Sequence, residues 1–278
     1  MSTQLRLTKP SPRISIVVPA RNEARNLETV LPELPEVHEV ILVDGASTDG
    51  TVETARRVMP GIKIVQQTRK GKGNALVCGF RAATGDVIVM FDADGSADPS
   101  EIPAFVDTLV RGADFAKGSR FAPGGGSHDI TRYRSLGNKG LNVLTNFLLK
   151  TKYTDLCYGY NAFWSDVLDS VDLPDPEIAA TNGSGMIWGD GFEIETVLNC
   201  RIAAARLVVH EVPSVERARI HGASNLNAIR DGLRVLKTIL QEKRTARQLA
   251  RDVKEIRRLD TAHQQPIVSA ESSVEEIA

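Results

Sequence analysis

Two aspartates separated by one small residue, Asp92-Ala93-Asp94, close the apolar run Asp86-Val87-Ile88-Val89-Met90-Phe91. Carboxylates that leave a strand end within one turn can share a hard divalent cation, Mg²⁺ or Mn²⁺, with Ala93 pointing away between them. Such a cation would neutralise a diphosphate, whereas the same side chains without it would cap the following helix. A third carboxylate, Asp44, ends the run Val40-Ile41-Leu42-Val43 and opens a turn rich in Gly, Ser, Thr and Asp. That turn can hold a nucleoside, or it can cap a helix through Ser47 or Asp49. Lys70-Gly71-Lys72-Gly73-Asn74 puts two cations and accessible backbone amides just before a helical stretch, a pattern that favours an anion. It lacks the spacing of a Walker A loop, and no GxGxxG opens the first strand-helix turn.

Something must bring these groups together. Ile14 to Val18, Val40 to Val43, Ile62 to Val65 and Asp86 to Phe91 read as strands, alternating with helices near Asn26 to Leu31, Thr51 to Val58, Asn74 to Ala83 and Pro99 to Leu109. The strands are almost continuously apolar, as in a parallel sheet covered on both faces. The fold class is therefore α/β, with a mostly parallel, Rossmann-like sheet flanked by helices and a C-terminal helical extension. Ligands of such sheets bind outside the carboxyl ends of the strands, so Glu23, Asp44, Asp92 and Asp94 are expected to face one crevice.

The chain has 278 residues, 42% hydrophobic and 25% charged, with 34 Lys and Arg against 35 Asp and Glu. A nearly neutral field gives no support to a nucleic-acid partner. Three scattered cysteines without CxxC spacing exclude a disulfide framework and a zinc knuckle, and point to a reducing compartment. No apolar run is long enough to span a bilayer, and residues 1–12 are a polar tail with two prolines. A cytoplasmic chain is expected.

Beyond Ala113 the pattern loosens. Arg134 to Leu149 reads as a helix, Glu193 to Ala205 as another, and Arg206 to Val212 as a strand. Two glycine-rich segments, Gly124 to Ser127 and Thr181 to Gly185, are candidates for loops that close over the crevice and exclude water. Trp164 and Trp188 are expected in core packing rather than stacked on a ligand. From Arg230 to Arg258 there are ten Lys or Arg and four Asp or Glu, on helical apolar spacing at Leu233, Leu236, Ile239 and Leu240. This segment would pack one stripe on the domain, or contact the inner face of a membrane peripherally.

The segments Val17-Val18-Pro19-Ala20-Arg21-Asn22-Glu23, Val43-Asp44-Gly45-Ala46-Ser47-Thr48-Asp49-Gly50-Thr51, Lys70-Gly71-Lys72-Gly73 and Phe91-Asp92-Ala93-Asp94-Gly95 resemble family-two glycosyltransferases of the GT-A fold. Within that family they are most similar to the dolichyl- or polyprenyl-phosphate sugar synthase branch. The resemblance implies that Pro19, Ala20, Glu23 and Asp44 hold the nucleoside of a nucleotide-sugar. Asp92, Ala93 and Asp94 would then engage ribose and diphosphate through Mg²⁺ or Mn²⁺, and Lys72 or Lys70 would offset phosphate charge. Arg219-Ile220-His221-Gly222-Ala223-Ser224-Asn225 resembles the family's RxxGxS(K) motif, with Asn225 in place of Lys. Arg219 is thereby assigned to the donor, and His221 to the metal or a phosphate. Asp155 to Phe163 resembles the acceptor-side segment, with Asn161 where the lipid-phosphate enzymes tend to have Lys or Arg.

Glu195 to Arg201 resembles the acidic-x-x-Leu-x-x-Arg pattern that carries the acidic residue in related enzymes. Glu193 and Glu195 lead as catalytic carboxylates, followed by Asp190 and Asp155. An already ionised phosphate acceptor would need no strong base. The implied organisation is a tail (1–12), a glycosyltransferase domain (13–228, donor half 13–120 and acceptor half 121–228), a basic amphipathic helical extension (229–260) and a disordered tail (261–278). The expected activity is metal-assisted, inverting transfer from a UDP- or GDP-sugar to a polyprenyl phosphate or a small soluble acceptor, with a homo-oligomer kept as an option. A nucleotidyltransferase and a non-catalytic nucleotide-sugar-binding scaffold at a membrane surface remain as alternatives.

Overall fold

The computed structural model describes residues 9–180, 185–222 and 228–263. The first half alternates as the apolar runs dictate: β1 (Ile14–Ala20), α1 (Ala24–Glu33), β2 (Glu39–Asp44), α2 (Thr51–Val58), β3 (Lys63–Gln66), α3 (Lys72–Ala82), β4 (Val87–Met90), then a 3-10 turn at Pro99–Glu101 leading into α4 (Ile102–Val110). The second half adds β5 (Phe115–Ser119), β6 (Gly126–Ser127), α5 (Arg132–Leu149), β7 (Asn161–Trp164), a 3-10 turn at Ser165–Val167, α6 (Leu168–Val171), α7 (Ile194–Ala204), β8 (Val209–Pro213), β9 (Val215–Glu216) and α8 (Ala228–His263).

Seven strands form one sheet in the order β3-β2-β1-β4-β7-β5-β8, while β6 and β9 pair separately. Parallel pairing joins β3, β2, β1 and β4, and β5 with β8; β7 alone runs antiparallel, between β4 and β5. Ile16, Val17 and Val18 of β1, and Val87 to Val89 of β4, have no solvent exposure, because helices cover both faces. Burying each such side chain contributes about 1.5–3 kcal/mol relative to leaving it in water.

The direction of β7 decides the site. An antiparallel strand presents its N-terminal end where its neighbours end, and Asn161 is paired with Met90 of β4 and Lys117 of β5. Residues that precede β7, rather than follow it, therefore reach the carboxyl edge. Neither β5 nor β7 is evident in the sequence: one contains Lys117 and Gly118, and the other is only four residues long. The expected strand over Arg206 to Val212 begins three residues later, after Arg206 turns the chain out of α7 with a φ of 58°. Trp164 is buried and its Nε1 donates to the Ala113 carbonyl at 3.1 Å, as expected of a core residue. Cys78, Cys157 and Cys200 are free thiols. Among the described residues no helix is long and apolar enough to cross a membrane.

Candidate active site

The carboxyl edge of β1 and β2 is stitched into one wall. The Asn22 amide donates to Ser47 Oγ and the Thr48 amide to Asn22 Oδ1, each at 2.9 Å, and the Glu23 amide donates to Thr51 Oγ1 at 2.9 Å. Asp49 accepts from the Ala24 and Thr51 amides, both at 3.1 Å, so it serves the starts of α1 and α2. Asp44 is buried and turned onto its own loop, accepting the Ser47 amide at 3.3 Å.

In front of this wall lies a cavity of about 1000 Å³. Pro19, Ala20, Glu23, Lys72, Asp92, Ala93, Asp94, Glu195, Arg219 and His221 all line it. Asp44, Lys70, Asp155, Asp190 and Glu193 do not.

Each aspartate of the pair already has a cation. Lys72 Nζ lies 2.7 Å from Asp92 and 3.0 Å from Glu195, and Arg219 lies 2.7 Å from Asp94 and 3.7 Å from Glu23. Burial works against the Lys72 charge, but Asp92 and Glu195 outweigh it and hold the ammonium protonated far above its usual range. Burial raises the Glu23 carboxyl; Asn26 and Arg219 pull it back, while Asp94 and Asp92 add to the rise. Asp94 also accepts the Ser96 amide at 2.9 Å, which fixes its direction. Gly159 backs onto the lysine: a Cβ there would sit 3.0 Å from Lys72 Nζ and 3.1 Å from Glu195 Oε1. A side chain at position 159 would force this ion pair to shift. The resemblance of 155–163 to an acceptor-side segment marks this stretch, but only the antiparallel course of β7 explains why it reaches the cavity.

The four candidate catalytic carboxylates separate by environment. Asp190 is bound by Arg69 through Nε and Nη2, each at 2.8 Å, with both side chains almost fully buried. Arg69 also donates to the carbonyls of Asp175, Pro176 and Ile178, so this pair ties three segments together. Asp155 is likewise held by Arg120 Nε at 2.7 Å and Nη2 at 2.9 Å, and by Asn138 at 2.8 Å. Glu193 accepts the Gly189 amide at 3.1 Å and the Gly191 amide at 3.3 Å, and lies 3.5 Å from Arg234. Glu195, in the first turn of α7, alone of the four opens onto the cavity.

The glycines around Lys72 are needed for packing, and the backbone amides expected to face an anion are taken: those of Gly73 and Asn74 both donate to the Asp190 carbonyl, at 2.7 and 3.3 Å. A Cβ on Gly73 would fall 1.9 Å from the Gly189 carbonyl oxygen. Gly73→Ala is expected to cost about 3 kcal/mol in chemical denaturation, the upper range for overpacking a tight site. A loss below about 0.5 kcal/mol would show that the 189–190 turn yields freely.

Among the described residues no group of three His, Cys, Asp or Glu side chains is placed to hold a metal. His221 lines the cavity, and its carbonyl accepts from Asn26 Nδ2 at 3.3 Å. Asp92 and Asp94 nevertheless fit a hard cation: both are carboxylates on the cavity wall, and diphosphate oxygens could complete their ligand set. Of the two glycine-rich loops expected to close, 124–127 includes β6, whereas Thr181 to Ser184 lie outside the described residues. So do Asn225 and the tail beyond residue 263.

A crevice outside the carboxyl ends of a mostly parallel sheet is where open α/β proteins bind their ligands. The model of Glycosyl transferase family 2 matches residues 15–172, and the chain belongs to that family. Undecaprenyl-phosphate mannosyltransferase of Micrococcus luteus is 30% identical over 215 residues, which is 74% of this chain and 84% of that protein. Polyprenol monophosphomannose synthase of Mycolicibacterium smegmatis is 33% identical over 59% of this chain and 66% of its own length. Dolichol-phosphate mannosyltransferase of Pyrococcus furiosus is 31% identical over 58% of this chain, but only 49% of that protein is matched. Glucosyl-3-phosphoglycerate synthase of Mycobacterium tuberculosis, solved with Mn²⁺, UDP and glucosyl-3-phosphoglycerate, superposes with a TM-score of 0.64 at 23% identity, covering 87% of this chain and 84% of that one. That likeness establishes the shared fold.

Proposed function

We propose that the chain transfers a sugar, with inversion, from a UDP- or GDP-sugar to a polyprenyl phosphate. The observation that carries this reading is the cluster Lys72, Asp92, Glu195, Asp94 and Arg219 on one cavity wall. The loop from Pro19 to Glu23 would hold the nucleoside, with Asp44 buttressing it from behind rather than touching the base. Asp92 and Asp94 would hold Mg²⁺ or Mn²⁺, which when bound supplies Lewis-acid stabilisation of the departing diphosphate. Arg219 and Lys72 are placed to move from their carboxylate partners onto phosphate oxygens as negative charge develops there.

The cavity lining also includes Tyr133, Leu141, Tyr158, Phe192 and Val235, together with Arg120 and with Arg134, which lies 3.3 Å from Asp129. Apolar side chains interspersed with arginines would suit an acceptor whose phosphate sits beside a hydrocarbon chain. A phosphate acceptor arrives ionised, and Glu195 need only orient Lys72; with a hydroxyl acceptor, Glu195 would be the carboxylate placed to take the proton. Similarity to three lipid-phosphate mannosyltransferases, at 30–33% identity, supports the lipid-phosphate reading. A small soluble acceptor is the second reading, favoured by the fold shared with a phosphoglycerate-using enzyme.

Turnover of nucleotide-sugars with polyprenyl phosphate or phosphoglycerate, with and without Mn²⁺, tests the proposal. Release of nucleoside diphosphate is expected; release of pyrophosphate from a nucleoside triphosphate would favour a nucleotidyltransferase instead. In a thermal-shift series, nucleoside diphosphate plus Mn²⁺ should raise the unfolding midpoint more than either alone. At one hundred times Kd the stabilisation should be about 2.7 kcal/mol. Equal shifts with and without the metal would remove it from the account.

A further inference from the structure

Helix α5 presents two faces of opposite use. On the inner side Asn138, Asn142 and Thr145 are buried, and Leu141, Leu144 and Leu148 pack with Val235 and Ile239 of α8. On the outer side Tyr133, Leu136, Val143 and Phe147 are 86%, 71%, 64% and 81% exposed. Their spacing of three, seven and four residues places them on one stripe of the helix. Single exposed apolar residues need no explanation, but four large ones on one helix face mark a contact surface.

The charges say with what. Arg132 and Lys139 lie exposed on α5 and Lys150 and Lys152 follow it, while Arg134 turns to the cavity and pairs with Asp129 at 3.3 Å; the helix itself contains no Asp or Glu. A large apolar stripe bordered by an excess of cations is the composition of a helix lying in the plane of a lipid interface. Two copies of the face meeting each other would instead set cations against cations.

We propose that α5 rests in the headgroup region of a bilayer containing anionic lipid, with Tyr133, Leu136, Val143 and Phe147 entering the acyl boundary. Tyr133 also lines the cavity, so this contact sets the cavity mouth at the lipid-water boundary. The site differs from the basic C-terminal segment, whose described part carries Asp231 and Glu242 and gives Glu242 to an ion pair with Arg201. It rests on no step of sugar transfer, because membrane binding is read without donor or turnover.

Flotation of the full chain with vesicles decides the matter, comparing phosphatidylcholine alone with phosphatidylcholine in which about one third of the lipid is phosphatidylglycerol. Binding is expected to the anionic vesicles only, weakening as salt rises. The paired variant Leu136→Ser/Phe147→Ser should bind at least about tenfold less while unfolding at the same temperature, since both side chains are already exposed. Unchanged flotation of that variant would overturn the proposal. So would loss confined to Leu233→Ser/Leu240→Ser on α8, or absence of vesicle binding together with a dimer in sedimentation that Leu136→Ser/Phe147→Ser dissociates.

Discussion

Asp94→Asn is expected to lower kcat/KM for sugar transfer by about 10²–10³-fold at saturating Mn²⁺ while leaving the unfolding midpoint close to that of the wild type. The substitution keeps an oxygen for the Ser96 amide, now 2.9 Å from Asp94 Oδ1, and removes the charge that faces Arg219 at 2.7 Å. Arg219 is partly exposed, so losing its partner leaves a solvated cation rather than a buried unpaired one. What the variant lacks is the second carboxylate beside Asp92, and with it the negative charge that would hold a divalent cation against the diphosphate. Steady-state kinetics over a Mn²⁺ series, paired with thermal unfolding, separates the two effects. A variant that turns over within about threefold of wild type at every Mn²⁺ concentration would show that the cation, if used, is held elsewhere.

The opposite pattern is expected at Asp190. Its carboxylate and the Arg69 guanidinium are 2% and 5% exposed, and the pair is bidentate. Asp190→Asn leaves a buried guanidinium without its counter-charge, a change that costs about 3–5 kcal/mol in comparable buried pairs. The Asp190 backbone also receives the Gly73 amide, so loosening this turn would release the start of α3 and with it Lys72. Urea denaturation should show the loss directly, and donor binding measured well below the transition should be weakened far less than stability. Were Asp190 the catalytic base instead, stability would stay near wild type and kcat would collapse. Urea midpoints and single-turnover rates on the same preparation distinguish these outcomes.

The first half of the fold was legible because of a simple physical circumstance. Strands buried on both faces must be apolar along their whole length, so polar residues collect at their ends, and β1, β2 and β4 announce Glu23, Asp44 and Asp92 in that way. Asp44 shows the limit of the inference: it ends the right strand, yet its carboxylate serves the Ser47 amide and stays out of the cavity. The second half was less legible. β5 includes a fully buried lysine, and β7 enters antiparallel after a segment with no strand-like alternation.

Among the candidate catalytic carboxylates, the sequence ranks Glu193 and Glu195 ahead of Asp190 and Asp155, but it does not separate Glu195 from Glu193. Their roles depend on partners far along the chain. Asp190 is taken by an arginine 121 residues away, and Asp155 by one 35 residues away. Glu195 is left facing the cavity beside Lys72, 123 positions before it, because Gly159 has no side chain to intervene. Spacing cannot reveal such pairings, since they are made by the folding of the sheet.

The central claim is that Asp92 and Asp94 hold one divalent cation against the diphosphate of an activated sugar, within reach of Lys72 and Glu195. A crystal soaked with nucleoside diphosphate and Mn²⁺, with anomalous scattering recorded for the metal, tests it directly. The account predicts a single strong anomalous peak about 2.0–2.6 Å from an oxygen of Asp92 or Asp94 and from a phosphate oxygen, the range for a hard cation. A bound nucleotide whose diphosphate lies away from this pair, or a manganese peak coordinated by other side chains, would contradict it.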